Sequence, residues 1–146
     1  MKKVFVALCM TGLVAAVTSC KTSNNAATST SELNGEWKIT EVNGQNITKT
    51  KNPNEAFIGF DVAKKSMYGS TSCNRFFGEL NADANKGTIS FGNAGSTRMM
   101  CEDIKTEEQV LKAVNETKSY ELKGGKKLTL KSADGKVLMT LQKRSK

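Results

Sequence analysis

Two cysteine-bearing segments constrain the fold of this chain more than any other part of it. They are Gly69-Ser70-Thr71-Ser72-Cys73-Asn74-Arg75-Phe76-Phe77-Gly78 and Ser96-Thr97-Arg98-Met99-Met100-Cys101. Whether Cys73 and Cys101 are left to pair depends on the other two cysteines, Cys9 and Cys20, both near the N-terminus. There Lys2 and Lys3 precede an apolar, uncharged run over residues 4–17. It has the length of a secretory core and is too short to cross a bilayer. The run ends in Val17-Thr18-Ser19-Cys20, an aliphatic residue, two small ones and a cysteine, which is the pattern of a bacterial lipobox. An ordinary signal peptide with Cys20 as a free thiol is the competing reading; the polar stretch that follows at once favours the lipobox. Residues 1–19 are therefore read as a lipoprotein signal peptide and Cys20 as the lipidated, new N-terminal residue.

Cleavage removes Cys9, and lipid occupies Cys20. Cys73 and Cys101 remain, in an exported and oxidising compartment where two leftover thiols read as one disulfide. A redox-active pair is the rival, but it more often has Cys-x-x-Cys spacing, and these cysteines stand 28 positions apart. Closing a loop of that size stabilises a fold by about 3–4 kcal/mol on the chain-entropy model.

Removing Lys2 and Lys3 from the 22 basic residues leaves 20 against 14 acidic ones, a formal charge of +6. That charge suits anionic lipid or an acidic partner. It is not a nucleic-acid signature, because the lysines are scattered and aromatic residues are few. Residues 20–32 are rich in Ser, Thr, Asn and Ala and carry too little apolar surface to fold, so they read as a flexible tether. Lys21, rather than an aspartate, follows Cys20. Without that inner-membrane retention signal, the expected location is the outer membrane, facing the periplasm.

The folded domain is expected over residues 33–146. Residues 36–42 alternate, with Trp37, Ile39 and Glu41 on one face, and Asn43-Gly44 is a hairpin turn. Further strands are predicted at 56–62 (with Phe57 or Phe60 inward), 66–70, 76–80 and 88–91. Then the period changes. Thr106-Glu107-Glu108-Gln109 reads as a capping box, and Ile104, Val110, Leu111 and Val114 form an apolar helical stripe ending near Thr117. Strands follow at 119–123, 127–131 (Leu128 and Leu130 on one face) and 136–142 (Val137, Met139 and Leu141 inward), with turns at Gly124-Gly125 and Ala133-Asp134-Gly135. About eight short strands and one helix predict a mainly β (α+β) fold: a small antiparallel barrel or curled sheet with the helix packed on it.

The chain has no histidine. That removes Ser-His-Asp and Cys-His catalysis and histidine-based zinc sites. No phosphate-cradling loop or nucleophile elbow is present. Asp61, Glu79, Asp83, Glu102 and Asp103 read as surface acids, with Glu102-Asp103 placed to favour a helix N-terminus. No catalytic residue, metal site or cofactor is expected. Arg75 and Arg98 are the candidate partner-binding residues, because a bridge would draw their segments together and paired guanidinium groups grip anions. The competing reading is that each pins local backbone or pairs with an acid such as Glu79 or Glu102. Of Met99 and Met100, at least one is expected in the core.

Asn34-Gly35-Glu36-Trp37, Gly69 through Cys73-Asn74-Arg75-Phe76 to Gly78, Thr97-Arg98-Met99-Met100-Cys101 and the closing Leu128-x-Leu130 strand together resemble the META/HslJ family of small, heat-shock-associated bacterial envelope lipoproteins. The resemblance covers about residues 33–142. It implies a compact antiparallel β fold with a helix against it, no established enzymatic activity, and an association with stress response and antibiotic tolerance. The family's two cysteines correspond to Cys73 and Cys101.

The resulting expectation is a monomeric, non-enzymatic, lipid-anchored envelope protein with an envelope protein partner, supporting outer-membrane homeostasis or stress tolerance. An alternative is a carrier holding a lipid or small apolar ligand inside the barrel, in a cavity lined by side chains such as Phe60, Phe76 and Val137. A redox protein would instead need Cys73 and Cys101 in an accessible cleft.

Overall fold

The computed structural model describes residues 29–49, 51–52 and 54–145. The stretch read as a signal peptide, Cys20 and the stretch read as a tether as far as residue 28 lie outside the described residues.

Among the described residues, nine strands and one α-helix follow one another in the order β1 (Gly35–Val42), β2 (Gln45–Asn46), β3 (Ala56–Asp61), β4 (Ser66–Thr71), β5 (Arg75–Asp83), β6 (Thr88–Ser96), α1 (Ile104–Glu116), β7 (Ser119–Lys123), β8 (Lys127–Lys131) and β9 (Val137–Lys143). Every pairing is antiparallel. β1 joins β3 on one side and β9 on the other, so eight strands close into a barrel and β2 adds a short hairpin to β1. Closure removes the exposed sheet edges that a nine-strand open sheet would present. The weakest seam is between β6 and β7, which share one registered pair, Thr88 with Ser119. Helix α1 packs against β6 and also touches β1, β4 and β9.

The turns follow local chemistry. Asn43 and Gly44 both take positive φ, 49° and 79°, the combination a two-residue hairpin needs between Val42 and Gln45. Ahead of β1, Thr30–Leu33 forms a 3-10 turn, so the last residues of the stretch read as tether are folded. Leu33 is fully buried and its carbonyl accepts the Trp37 indole N–H at 2.7 Å. Trp37 is itself fully buried, with the Lys143 ammonium 4.3 Å from its ring centroid. Burial pushes the Lys143 pKa down.

Register shifts occur between β1 and β9, β5 and β6, and β8 and β9, and the first and last of them break the alternation read from the sequence. Between Ile39 and Glu41, β1 carries one extra residue against β9, which restarts the inward phase at Val42. Glu41, expected beside Trp37 and Ile39, is exposed. On β9, Leu130 opposes Met139 while Lys131 opposes Val137. Leu138, Met139 and Leu141 are therefore buried, and Val137, expected inward, is 42% exposed. Leu128 and Leu130 are both fully buried, as their alternation implies.

The helix also starts one turn earlier than the Thr106 cap predicts. Asp103 is the N-cap: its Oδ1 accepts from Thr106 N–H at 3.1 Å, and the Thr106 hydroxyl donates to Oδ2 at 2.8 Å. This rotates the inward stripe. Thr106, Glu107, Val110, Ala113 and Val114 are buried, while Ile104 is 49% exposed. Phe60 stacks on Phe91 with ring centroids 5.8 Å apart, within a core that also holds Phe76, Met67 and Met139.

Candidate functional site: a disulfide corner with a buried Asn–Glu pair

Cys73 lies in the corner between β4 and β5, and Cys101 lies in the segment that leaves β6 for α1. They are joined as a disulfide with Cα atoms 6.0 Å apart. The tight β4–β5 corner is made by Ser72, whose φ of 79° is unusual for a residue with a side chain. Its amide donates to the Ser70 hydroxyl at 3.2 Å, and the Asn52 amide group donates to the Ser72 hydroxyl at 3.0 Å. Asn52 Oδ1 in turn accepts from Asp103 N–H at 3.2 Å, tying the 47–55 loop to the helix cap.

Asn74 is the hub of this corner and is 1% exposed. Its Oδ1 accepts from the Thr97 hydroxyl and from Met99 N–H, both at 2.7 Å. Its Nδ2 donates to the Met99 carbonyl at 3.1 Å and to Glu107 Oε1 and Oε2 at 2.9 and 2.8 Å. It also lies 3.2 Å from Cys101 Sγ. Glu107, 6% exposed, brings Oε2 to 2.9 Å from the same sulfur. A buried carboxyl group is tolerable only when its oxygens are satisfied; here one amide serves both. The two sulfurs and a Glu107 oxygen lie within 4.8 Å of one another, but sulfurs bonded to each other are not free donors to a cation.

Sequence reasoning placed no role on Asn74 or Glu107. The available signal was spacing: Glu107, Val110 and Val114 stand at i, i+3 and i+7, one helix face. Reading Thr106 as the cap hid it.

The segments of the two arginines lie side by side, the Thr97 N–H donating to the Arg75 carbonyl at 2.9 Å. Arg75 is exposed on the outer face of β5 and lines a cavity of about 220 Å3 with Cys73, Ser70, Phe57, Glu55 and Arg144. Arg98 is exposed on the loop beyond β6. Neither forms an ion pair with Glu79 or Glu102 among the described residues. The backbone near Arg75 is pinned instead, its N–H donating to the Thr97 hydroxyl at 3.0 Å. Met99 and Met100 are 57% and 101% exposed. The expectation that at least one fills the core fails because Asn74 holds the Met99 backbone on both sides, which keeps this segment on the outside of the barrel. Nor do Phe60, Phe76 and Val137 line one interior cavity: the phenylalanines are packed in the core and Val137 faces solvent. A separate cavity of about 570 Å3 lies at the end of β5 and the start of β6, where Lys65, Asn81, Asp83 and Lys118 meet Val62 and Leu80.

Fold and site define a small closed β-barrel with one helix and a disulfide-stapled corner. The META domain model matches residues 30–145, and the chain belongs to the META domain family. Among solved structures, one determined by NMR is 30% identical, with a TM-score of 0.57, over 75% of this chain and 89% of that one. An NMR structure of a protein from Burkholderia xenovorans is 18% identical with a TM-score of 0.60, over 80% and 86% of the two chains. A crystal structure of a DUF4847 family protein from Bacteroides vulgatus is 16% identical with a TM-score of 0.56, over 78% and 95%. The last two share the fold alone. No curated protein matches the chain significantly.

Proposed function

We propose that this META-domain protein is a lipid-anchored, non-enzymatic module of the cell envelope. It is held by Cys20, sits at the outer membrane facing the periplasm, and supports membrane homeostasis or stress tolerance by binding an envelope partner. One spatial relation supports the reading. The 3-10 turn through which the chain enters the barrel is fixed at the Val62 end of β3, where Asn34 Oδ1 accepts from Val62 N–H at 2.8 Å. The disulfide corner stands at the opposite end of β3 and β4, where Ala56 pairs with Thr71. A tether leading back from Ser29 to a lipid leaves the Arg98-Met99-Met100 loop and Arg75 at the end of these strands away from the anchor. Exposed methionines beside arginines form an adaptable contact surface.

The test is complementation of a deletion strain under heat stress, with membrane fractionation and in-cell crosslinking. Cys20→Ala is expected to release the protein into the soluble periplasmic fraction. Arg75→Ala/Arg98→Ala is expected to keep the protein folded and anchored but lose the crosslinked species and the stress protection. Full protection and unchanged crosslinking by that double variant would overturn the partner surface. Continued membrane association of Cys20→Ala would overturn the anchor. The carrier alternative gains no comparable support.

A further inference from the structure

The bridge has two unlike sides. On one, Cys73 lines the cavity of about 220 Å3 shared with Arg75 and Arg144. Arg144 is engaged, at 2.6 Å from Glu36 and 3.2 Å from Glu55. Arg75 has no ion pair among the described residues and leaves the cavity a cation to offer. On the other side, Cys101 Sγ is 3.2 Å from the Asn74 amide nitrogen and 2.9 Å from Glu107 Oε2, with both side chains buried. One sulfur is thus placed for approach, while the other is placed to leave as a thiolate that accepts a hydrogen bond from Asn74. A bridge acting only as a staple needs neither arrangement.

We propose that Cys73 is a site of reversible S-thiolation by a small thiol bearing a carboxylate, with Cys101 as the resolving thiol. The incoming thiolate enters the cavity with its carboxylate drawn to Arg75 and attacks Cys73 Sγ. A new S–S bond forms between the small thiol and Cys73. The Cys73–Cys101 bond breaks and its electron pair leaves on Cys101 Sγ, which accepts a hydrogen bond from Asn74 Nδ2 and takes a proton from solvent. In the reverse direction the Cys101 thiol first loses its proton to solvent. Cys101 then attacks Cys73 Sγ, and the small thiolate departs with the electrons of the broken bond. One disulfide is exchanged for another, so no external oxidant or reductant is consumed. This activity is stoichiometric and shares Arg75 with the proposed partner surface.

The test uses the full chain carrying Cys9→Ser and Cys20→Ser, so that only the bridge reacts. It is treated with 3-mercaptopropionate or cysteamine at equal thiolate concentration, and the mixed disulfide is followed by intact mass spectrometry. The acidic thiol is expected to react about tenfold faster than the cationic one, first order in thiol. Arg75→Ala is expected to abolish that preference. Equal rates for both thiols, independent of thiol concentration, would mean that the bridge opens only when the protein unfolds and would overturn the proposal. The thiol preference is measured on the unsubstituted site, so it stands even if a variant fails to fold.

Discussion

One amide nitrogen of Asn74 reaches both carboxylate oxygens of Glu107, at 2.9 and 2.8 Å. It joins the β4–β5 corner to the helix across 33 positions of sequence. Both partners are buried, so losing one leaves the other desolvated and unpaired. Asn74→Ala is expected to destabilise the fold by about 2–4 kcal/mol, because it strands Glu107 and also frees the Met99 segment. Urea denaturation checks this. The double variant Asn74→Ala/Glu107→Leu should recover part of the loss, since it removes the stranded carboxyl group; a double variant less stable than Asn74→Ala alone would contradict this account.

The bridge beside this pair closes a loop of 28 positions. Cys73→Ser/Cys101→Ser is expected to cost about 3–4 kcal/mol from loop entropy, a fall in Tm on the order of 10 °C for a domain of this size. The removed sulfurs also sit against Asn74 and Glu107, so the measured loss should not be smaller than the loop term. Calorimetry of oxidised wild type against the double variant decides it, and an unchanged Tm would show that the bridge contributes nothing to the native state.

Most of the barrel is legible in the sequence because its signals are local. Strands β7 and β8 have the predicted bounds, since alternation runs unbroken between glycine turns. What escaped is what depends on nonlocal register. The bulges in β1 and β9 exist because closing the ring forces one strand to carry an extra residue against the other, and nothing in the order of Ile39, Thr40 and Glu41 announces that. The disulfide corner was legible only as a pair of cysteines. Asn74 and Glu107 are polar residues that ordinarily face water; their burial follows from a helix cap at Asp103 and a corner at Ser72 that meet only in the folded chain.

Gly69 marks another nonlocal constraint. It lies in the middle of β4, is buried, and stands opposite Ile58 and Phe76 in the neighbouring strands. A Cβ there would overlap the Phe57 carbonyl oxygen and the Phe76 ring, both fixed in the barrel. Gly69→Ala is therefore expected to destabilise by about 2 kcal/mol or more through overpacking. Gly124 is the control for space alone, because a Cβ there meets nothing within 4 Å. Its φ of 58° makes Gly124→Asn the fitting substitution, and that change should leave stability within about 0.5 kcal/mol. Parallel urea melts compare the two.

Acid should loosen the β7–β8 hairpin through Glu121. The Lys131 ammonium donates to Glu121 Oε2 at 2.8 Å, and Lys123 lies 3.2 Å from Oε1. Those two hydrogen-bonded ammonium groups hold the Glu121 pKa below its ordinary value of 4.5. A carboxyl group with a depressed native pKa binds protons less readily in the folded than in the unfolded chain. Its contribution is therefore fully present above the unfolded value and is lost as pH falls through the folded one. Because the group is partly open to solvent, salt should weaken the effect. Glu121→Gln is expected to be slightly less stable than wild type at neutral pH and to converge with it as pH drops below 4.5. Thermal melts across that range, at low and high ionic strength, provide the comparison. A gap between the two proteins that stays constant with pH would show that Glu121 acts through packing rather than charge.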